Sequence, residues 1–167
     1  MNAIYSRRSI RKYKSTPVEE TQIKQVIRAA SYAPSAGNER PWHFIVIQNR
    51  ETLNAFPTFH PFTQMLKEAP VAIVTCADTS AVKYDGMFWI QDMSAAIQNL
   101  MLEAENIGLG TCWCGLYPNA DFVSRVKEML SLPEHVIPTA VVALGYPDET
   151  REVPERFIEE RVHFEKW

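Results

Sequence analysis

Apolar and polar positions along this 167-residue chain change period several times, and the changes delimit its elements. Ile23, Val26, Ile27 and Ala30 recur at helical spacing and predict a helix over about 19–32. In front of it, Thr16-Pro17-Val18-Glu19 has the spacing of a capping box with proline at the first helical position. Ala33-Pro34 ends it, because a residue before proline avoids the α region. Residues 42–48 (WHFIVIQ) are rich in β-branched and aromatic side chains and read as a strand. Residues 52–68 read as short helical pieces around Pro57 and Pro61. Residues 70–77 (PVAIVTCA) and 137–145 (IPTAVVALG) are almost wholly apolar, as strands buried on both faces are.

The longest predicted helix covers 85–107. Ile90, Met93, Ile97, Leu100, Met101 and Ala104 form one apolar stripe, and Trp89, Ala95, Ala96 and Leu102 make the other sides apolar too. Such a helix is central to a fold or lies at a subunit interface. Asp92 and Asn99 are its polar exceptions, suited to hydrogen bonding at an interface. Gly108 and Gly110 stop it, and 111–115 (TCWCG) reads as a short strand or turn. Phe122, Val123, Val126, Met129 and Leu130 mark a further helix, with Asn119 as its cap. The tail, 147–167, is rich in charge and proline yet ends in Val162-His163-Phe164-Glu165-Lys166-Trp167. Terminal aromatics on a segment with so little core of its own predict docking on another surface, one belonging to a second subunit.

Bulk composition narrows the class. Hydrophobic residues make up 46% and charged residues 22%, as in an ordinary globular protein. No apolar run approaches the roughly 18 residues of a membrane span, and the N-terminus lacks the apolar region of a secretory signal. Three cysteines, Cys76, Cys112 and Cys114, lie in apolar surroundings and read as reduced thiols of a cytoplasmic protein. Cys112-x-Cys114 has the look of a metal or redox pair, but packing is the stronger reading, and no metal site is expected.

The net charge of −3 is unevenly spread: residues 1–18 hold Arg7, Arg8, Arg11, Lys12 and Lys14 and no acid, on an otherwise acidic chain. A nucleic-acid binder spreads basic groups over a face and interleaves aromatics, so no nucleic acid is expected. One compact basic segment reads instead as a pocket for a small anion, or as a solvated basic arm. Arg7-Arg8-Ser9-Ile10-Arg11 offers guanidiniums and a hydroxyl suited to phosphate. Pro34-Ser35-Ala36-Gly37-Asn38 is a turn of small residues that lets backbone approach a flat ligand. Together they suggest a phosphorylated planar cofactor, and flavin mononucleotide (FMN) fits both halves. The common hydrolase, zincin, P-loop and dinucleotide motifs are missing, so chemistry would come from a cofactor.

RRSIRKY at 7–13, APSAGNERPWHFIVI at 33–47, ENIGLGTCWCG at 105–115, VALGYP at 142–147 and RVHFEKW at 161–167 together resemble the nitroreductase family of flavin-dependent oxidoreductases, over nearly the whole chain. The resemblance implies an α+β fold, with a central, mostly antiparallel sheet wrapped by helices, as a single FMN-binding domain over 1–167. It implies an intertwined homodimer whose flavin sites lie at the subunit interface. Arg7, Arg8, Ser9 and Arg11 carry over as FMN ligands, Arg7 and Arg8 toward the phosphate or ribityl end and Arg11 near the pyrimidine edge. Pro34, Ser35, Ala36 and Asn38 would reach the flavin from the other subunit. Cys114 and Gly115 would line its N5 edge through backbone N–H groups. Arg156 would be a further phosphate ligand, its other reading being an ion pair with Glu155 or Glu159. Trp42 is expected in the core. Arg40 stands where the family often has glutamine, and Pro61-Phe62-Thr63-Gln64 stands where larger members carry an asparagine and a lysine. The implied activity is hydride transfer from NADH or NADPH through FMN to a small electrophilic acceptor such as a nitroaromatic or quinone, with no side chain as a dedicated catalyst. Flavin storage without turnover, reductive dehalogenation and flavin fragmentation are the alternatives on the same fold.

Overall fold

Two strands with apolar side chains on both faces form the centre of a four-stranded sheet. The computed structural model describes residues 2–80 and 82–167. The strands are β1 (Trp42–Ile47), β2 (Val71–Asp78), β3 (Gly110–Gly115) and β4 (Val136–Gly145), in the order β1-β2-β4-β3, and each adjacent pair is antiparallel. Residues 71–77 of β2 are all buried, because alternate side chains enter two different cores. Val71 and Ile73 join Val142 and Leu144 under α2 (Glu20–Ala30) and α4 (Trp89–Asn106). Ala72, Val74 and Cys76 join Val141, Ala143, Cys112 and Cys114 under α3 (Arg50–Phe59) and α5 (Ala120–Leu130). Leu53 and Phe56 of α3 are fully buried there, each worth about 1.5–3 kcal/mol relative to exposure.

Most predicted elements are present, with instructive shifts. The helix expected over 19–32 runs from Glu20 to Ala30, and its capping box lies three residues later than predicted. Glu19 is the N-cap, and its side chain and that of Gln22 make the reciprocal bonds; Thr16-Pro17-Val18 precede the helix. The segment expected as short pieces around Pro57 is one helix, α3, with Pro57 inside it, followed by a 3₁₀ segment at Pro61–Lys67. The long helix begins at Trp89, preceded by a 3₁₀ turn at Tyr84–Gly86. Its buried face carries Met93, Ala96, Ile97, Leu100, Met101 and Ala104, while Ile90 stays exposed in the single chain. A short helix, α1 (Ala3–Ser6), precedes the basic segment. Asn119 caps α5 as expected, accepting the Phe122 N–H. Trp42 is half-buried and packs against both the α4 core and the small cluster of Ala77, Trp89 and Met93.

The basic segment extends the sheet at its β3 edge. Ile10 N–H donates to Thr111 O at 2.9 Å, and Ser9 forms a parallel bridge with Thr111. On its other side Lys14 N–H bonds to Tyr146 O and Asp148 N–H to Lys12 O, both at 2.9 Å. The segment is therefore threaded between β3 and the start of the tail. Beyond it the tail is uncovered: Phe157, Phe164 and Trp167 are 68%, 86% and 101% exposed. Among the described residues no helix is long and apolar enough to cross a membrane.

Gly110 makes the edge pairing possible. A Cβ there would sit 2.8 Å from Ile10 Cγ1 and 2.9 Å from Ile10 Cβ, and neither can yield while Ile10 remains paired with Thr111. Gly110→Ala is expected to destabilise the protein by about 1–3 kcal/mol, as overpacking does. Urea unfolding checks this, and an unchanged midpoint would mean that the segment can shift without cost.

Candidate functional site

Two clefts meet at Arg11. The first, about 750 Å³, opens beside the free edge of β3. Its walls are Cys112, Trp113, Cys114 and Gly115 on one side and His60, Phe62, Met65 and Phe122 on the other. Arg11 and Lys12 stand at its mouth. The second, about 590 Å³, is lined by Arg8, Ser9, Arg11, Thr150, Arg151 and Arg156 with Glu152 and Pro154. One cleft is mainly apolar and the other cationic, and the same guanidinium borders both.

His60 builds the wall of the apolar cleft. It is 2% exposed, caps the 3₁₀ segment at Pro61–Lys67 by accepting the Phe62 N–H at its Nδ1, and places Nε2 2.8 Å from Gly115 O. Both bonds are made at once when Nε2 carries the proton and donates to the carbonyl. Its ring stacks on Phe122 with centroids 4.3 Å apart. The imidazole thus ties the segment bearing Phe62 to the sheet edge.

The direction of the β3 ladder decides which backbone donors face the cleft. Leu116 N–H bonds to Thr139 O at 2.9 Å, so the antiparallel alternation turns the Cys114 amide toward Val141 of β4. The amides of Trp113 and Gly115 face the open edge instead. Of the two donors expected from Cys114 and Gly115, the edge offers that of Gly115. Cys114 contributes its thiol to the wall, 3.2 Å from Phe62 O. The Cys112 thiol is drawn down to about 7, first by hydrogen bonding with Cys114 and then, against burial, by the charges of Arg11, Arg7 and Arg151. The same pairing, with burial, pushes Cys114 up.

The cationic cleft is organised by the tail. Arg8 Nε donates to Glu152 O at 2.9 Å, and Arg151 pairs with Glu149 at 2.7 Å. Arg156 lines the cleft, and its backbone N–H donates to Glu155 Oε1 at 2.7 Å. Arg7 is not among the residues that line this cleft. Its affinity for its proton is lowered by burial and by the neighbouring charges of Arg8 and Arg156. Arg151, His60 and Phe62 were not among the sequence candidates. Arg151 was hidden in a charged tail, and nothing in a single sequence marks a histidine that bonds to a carbonyl 55 residues away.

The turn at 34–38 lines neither cleft of its own chain. Gly37, Asn38 and Arg40 take positive φ, and the turn packs beside the start of α4. There Ala36 N–H donates to Asp92 and Lys83 Nζ to Gly37 O. Ser35 Oγ accepts the Arg40 N–H at 3.0 Å. Among the described residues no group of three or more His, Cys, Asp or Glu is arranged to hold a metal ion.

A sheet edge bearing an apolar cleft that continues into an arginine-lined one defines a protein built to hold a flat ligand with an anionic end. The chain belongs to the nitroreductase family, whose model matches residues 4–61 and 60–146. It is 49% identical over 167 residues to the "Putative NADH dehydrogenase/NAD(P)H nitroreductase" of Methanothermobacter thermautotrophicus, covering 100% of this chain and 87% of that one. A crystal structure from Clostridium acetobutylicum superposes with a TM-score of 0.94 at 42% identity, covering 99% of each chain. An FMN-dependent nitroreductase from Clostridium difficile R20291 superposes with a TM-score of 0.90 at 30% identity, again covering 99% of each.

Removing the imidazole tether tests its structural weight. His60→Ala leaves Gly115 O and Phe62 N–H without partners and opens a cavity against Phe122. The expected loss is about 2–4 kcal/mol of unfolding free energy, measured by thermal or urea denaturation. A loss below about 0.5 kcal/mol, the level of an ordinary surface substitution, would refute the tether.

Proposed function

We propose that this chain is an FMN-dependent oxidoreductase that takes hydride from NADH or NADPH and passes it to a small electrophilic acceptor such as a nitroaromatic or a quinone. The observation that carries this reading is the pair of clefts joined at Arg11. The apolar cleft matches a flat tricyclic ring and the cationic cleft a terminal phosphate, and one guanidinium borders both, as a single ligand spanning them requires. The FMN dependence of the Clostridium difficile relative supports the same cofactor here.

Each residue then has a task. Arg8, Ser9 and Arg156 bind the phosphate, with Arg151 beside them and Arg7 adding its charge. Arg11, at the junction, places positive charge near the pyrimidine edge, where a reduced ring gathers negative charge. The edge-facing N–H of Gly115 donates to the ring, with Cys114 in the wall beneath. Bound there, FMN supplies reversible hydride acceptance and donation, so the protein needs no general base of its own. Phe62 and Trp113 line the open side of the apolar cleft and limit which flat acceptors enter.

The site is completed by a second copy of the chain. The 34–38 turn, with Pro34, Ser35, Ala36 and Asn38, reaches the flavin of the partner subunit. The uncovered tail aromatics and the exposed Ile4, Tyr5 and Tyr32 supply the apolar surface that such a homodimer buries. The whole chain works as one FMN-binding domain with 147–167 as a clasp. Free thiols at all three cysteines support a reducing, cytoplasmic setting.

Two outcomes follow. Purified protein is expected to hold about one FMN per chain, and Arg8→Ala to weaken FMN by roughly ten- to a hundredfold, the worth of a charge-assisted bond, while leaving riboflavin binding unchanged. Flavin fluorescence titration measures both, and equal wild-type affinity for FMN and riboflavin would remove the phosphate role. Deleting residues 157–167 is expected to weaken dimer and cofactor together, because each buried aromatic contributes on the order of 2–3 kcal/mol. Size-exclusion chromatography read at the flavin band decides; a truncated chain still eluting as a fully yellow dimer rules out the clasp.

A further inference from the structure

The most unusual polar contact in the molecule lies outside both clefts. Asp92, on the first turns of α4, is only 5% exposed. Its Oδ1 accepts the Ala36 N–H at 2.9 Å. Glu39, at the end of the 34–38 turn, accepts the Lys83 N–H on Oε2 at 2.6 Å. The Glu39 carboxyl neighbours that of Asp92 closely enough to act on its ionisation. The oxygens left over, Asp92 Oδ2 and Glu39 Oε1, are buried, and no donor among the described residues reaches either. Two ionised carboxylates in contact would leave both buried oxygens without a partner and facing like charge. One proton between them satisfies both atoms with a single O–H···O bond.

We propose that Asp92 and Glu39 share one proton, and that this bond latches the 34–38 turn to α4. The middle of the turn and the residue that follows it are then held through the pair: Ala36 by Asp92, and Glu39 by Asp92 and the Lys83 main chain. The other charged or titratable groups on the flanking segments are Lys83, Tyr84 and Asp85 on the loop before α4 and Arg40 at the end of the turn. Lys83 Nζ is engaged by Gly37 O, and Tyr84 packs against Gly37; on α4 itself the buried neighbours of Asp92 in the chain are the apolar Trp89 and Met93. Burial first, then contact with Glu39, raises the Asp92 carboxyl above its ordinary value, against the Ala36 N–H bond that lowers it. A raised value in the folded state means that the latch is fully closed below the ordinary carboxylate range. It is lost as pH rises through the raised value. Its consequence for the cofactor rests on the reading above that this turn contacts the partner subunit's flavin; Asp92 is then a positioning residue for that contact.

Hydrogen exchange of the peptide spanning 34–41, expressed as protection relative to intrinsic exchange, reads the latch directly and without reference to activity. In the wild type, Ala36 protection should fall about tenfold as pH rises above the ordinary carboxylate range, the worth of one hydrogen bond to a charged partner. Asp92→Asn keeps an acceptor for Ala36 and gives Glu39 a permanent donor, so its protection should not change with pH. Glu39→Gln should behave the same way and serves if the first variant does not fold. Asp92→Ala should show low protection at every pH. A flat wild-type profile, or Asp92→Asn and Glu39→Gln tracking the wild type, overturns the shared proton. FMN retention measured over the same pH range separates the two readings. Retention that follows Ala36 protection supports both; protection that behaves as expected with retention unmoved upholds the latch and removes the turn from the flavin site.

Discussion

The functional geometry hangs on one backbone pairing at an open sheet edge. Ile10 N–H meets Thr111 O, and the missing side chain of Gly110 lets Ile10 lie flat against β3. That pairing sets the register of Arg8, Ser9 and Arg11 relative to the cleft walls at 112–115. A backbone ladder holds position more tightly than long flexible side chains can, because its donors and acceptors are fixed by the strand itself. The arginines therefore reach the clefts from fixed Cα positions.

From this edge the site divides by charge. The tail folds back over the basic segment at Tyr146 and Asp148 and brings Arg151 and Arg156 beside Arg8. Five arginines in one neighbourhood repel one another, and Arg7 holds its proton less tightly for that reason as well as for its burial. Glu149 offsets part of the repulsion: it accepts the amides of Arg11 and Lys12 and pairs with Arg151. A cluster strained in this way is relieved by an anion, which is the electrostatic logic of a phosphate site. On the other side of Arg11 the walls are aromatic and sulfur-bearing, suited to a flat apolar body.

The single chain leaves matching deficits. The turn at 34–38 is built with care, through positive φ values, a serine bond and a buried carboxyl pair, yet it borders neither cleft of its own chain. The tail ends in aromatics with nothing over them, and the N-terminal helix shows Ile4 and Tyr5 to solvent. A second copy that received the aromatics and presented its own turn would resolve these deficits together. The proposed homodimer is the arrangement in which the cost of the ordered turn and the exposure of the tail both have a return.

What the sequence determined by itself was local or periodic. β2 and β4 were legible because burial on both faces leaves an unbroken apolar run, α5 because Asn119 precedes a helical stripe, and the arginine cluster because its members are neighbours in the chain. The capping box was misplaced by three residues because Thr16/Glu19 and Glu19/Gln22 both have the required spacing; only the path of the chain into α2 chose between them. Pro57 read as a break, but it sits within a helix whose Leu53 and Phe56 are fully buried, and that packing outweighs one lost backbone bond. Tertiary structure alone decided the strand order, which amides of β3 face the cleft, and that His60 meets Gly115. It also joined Asp92 to Glu39 across 53 positions. Such pairings depend on where remote segments cross, and a one-dimensional pattern carries no record of the crossing.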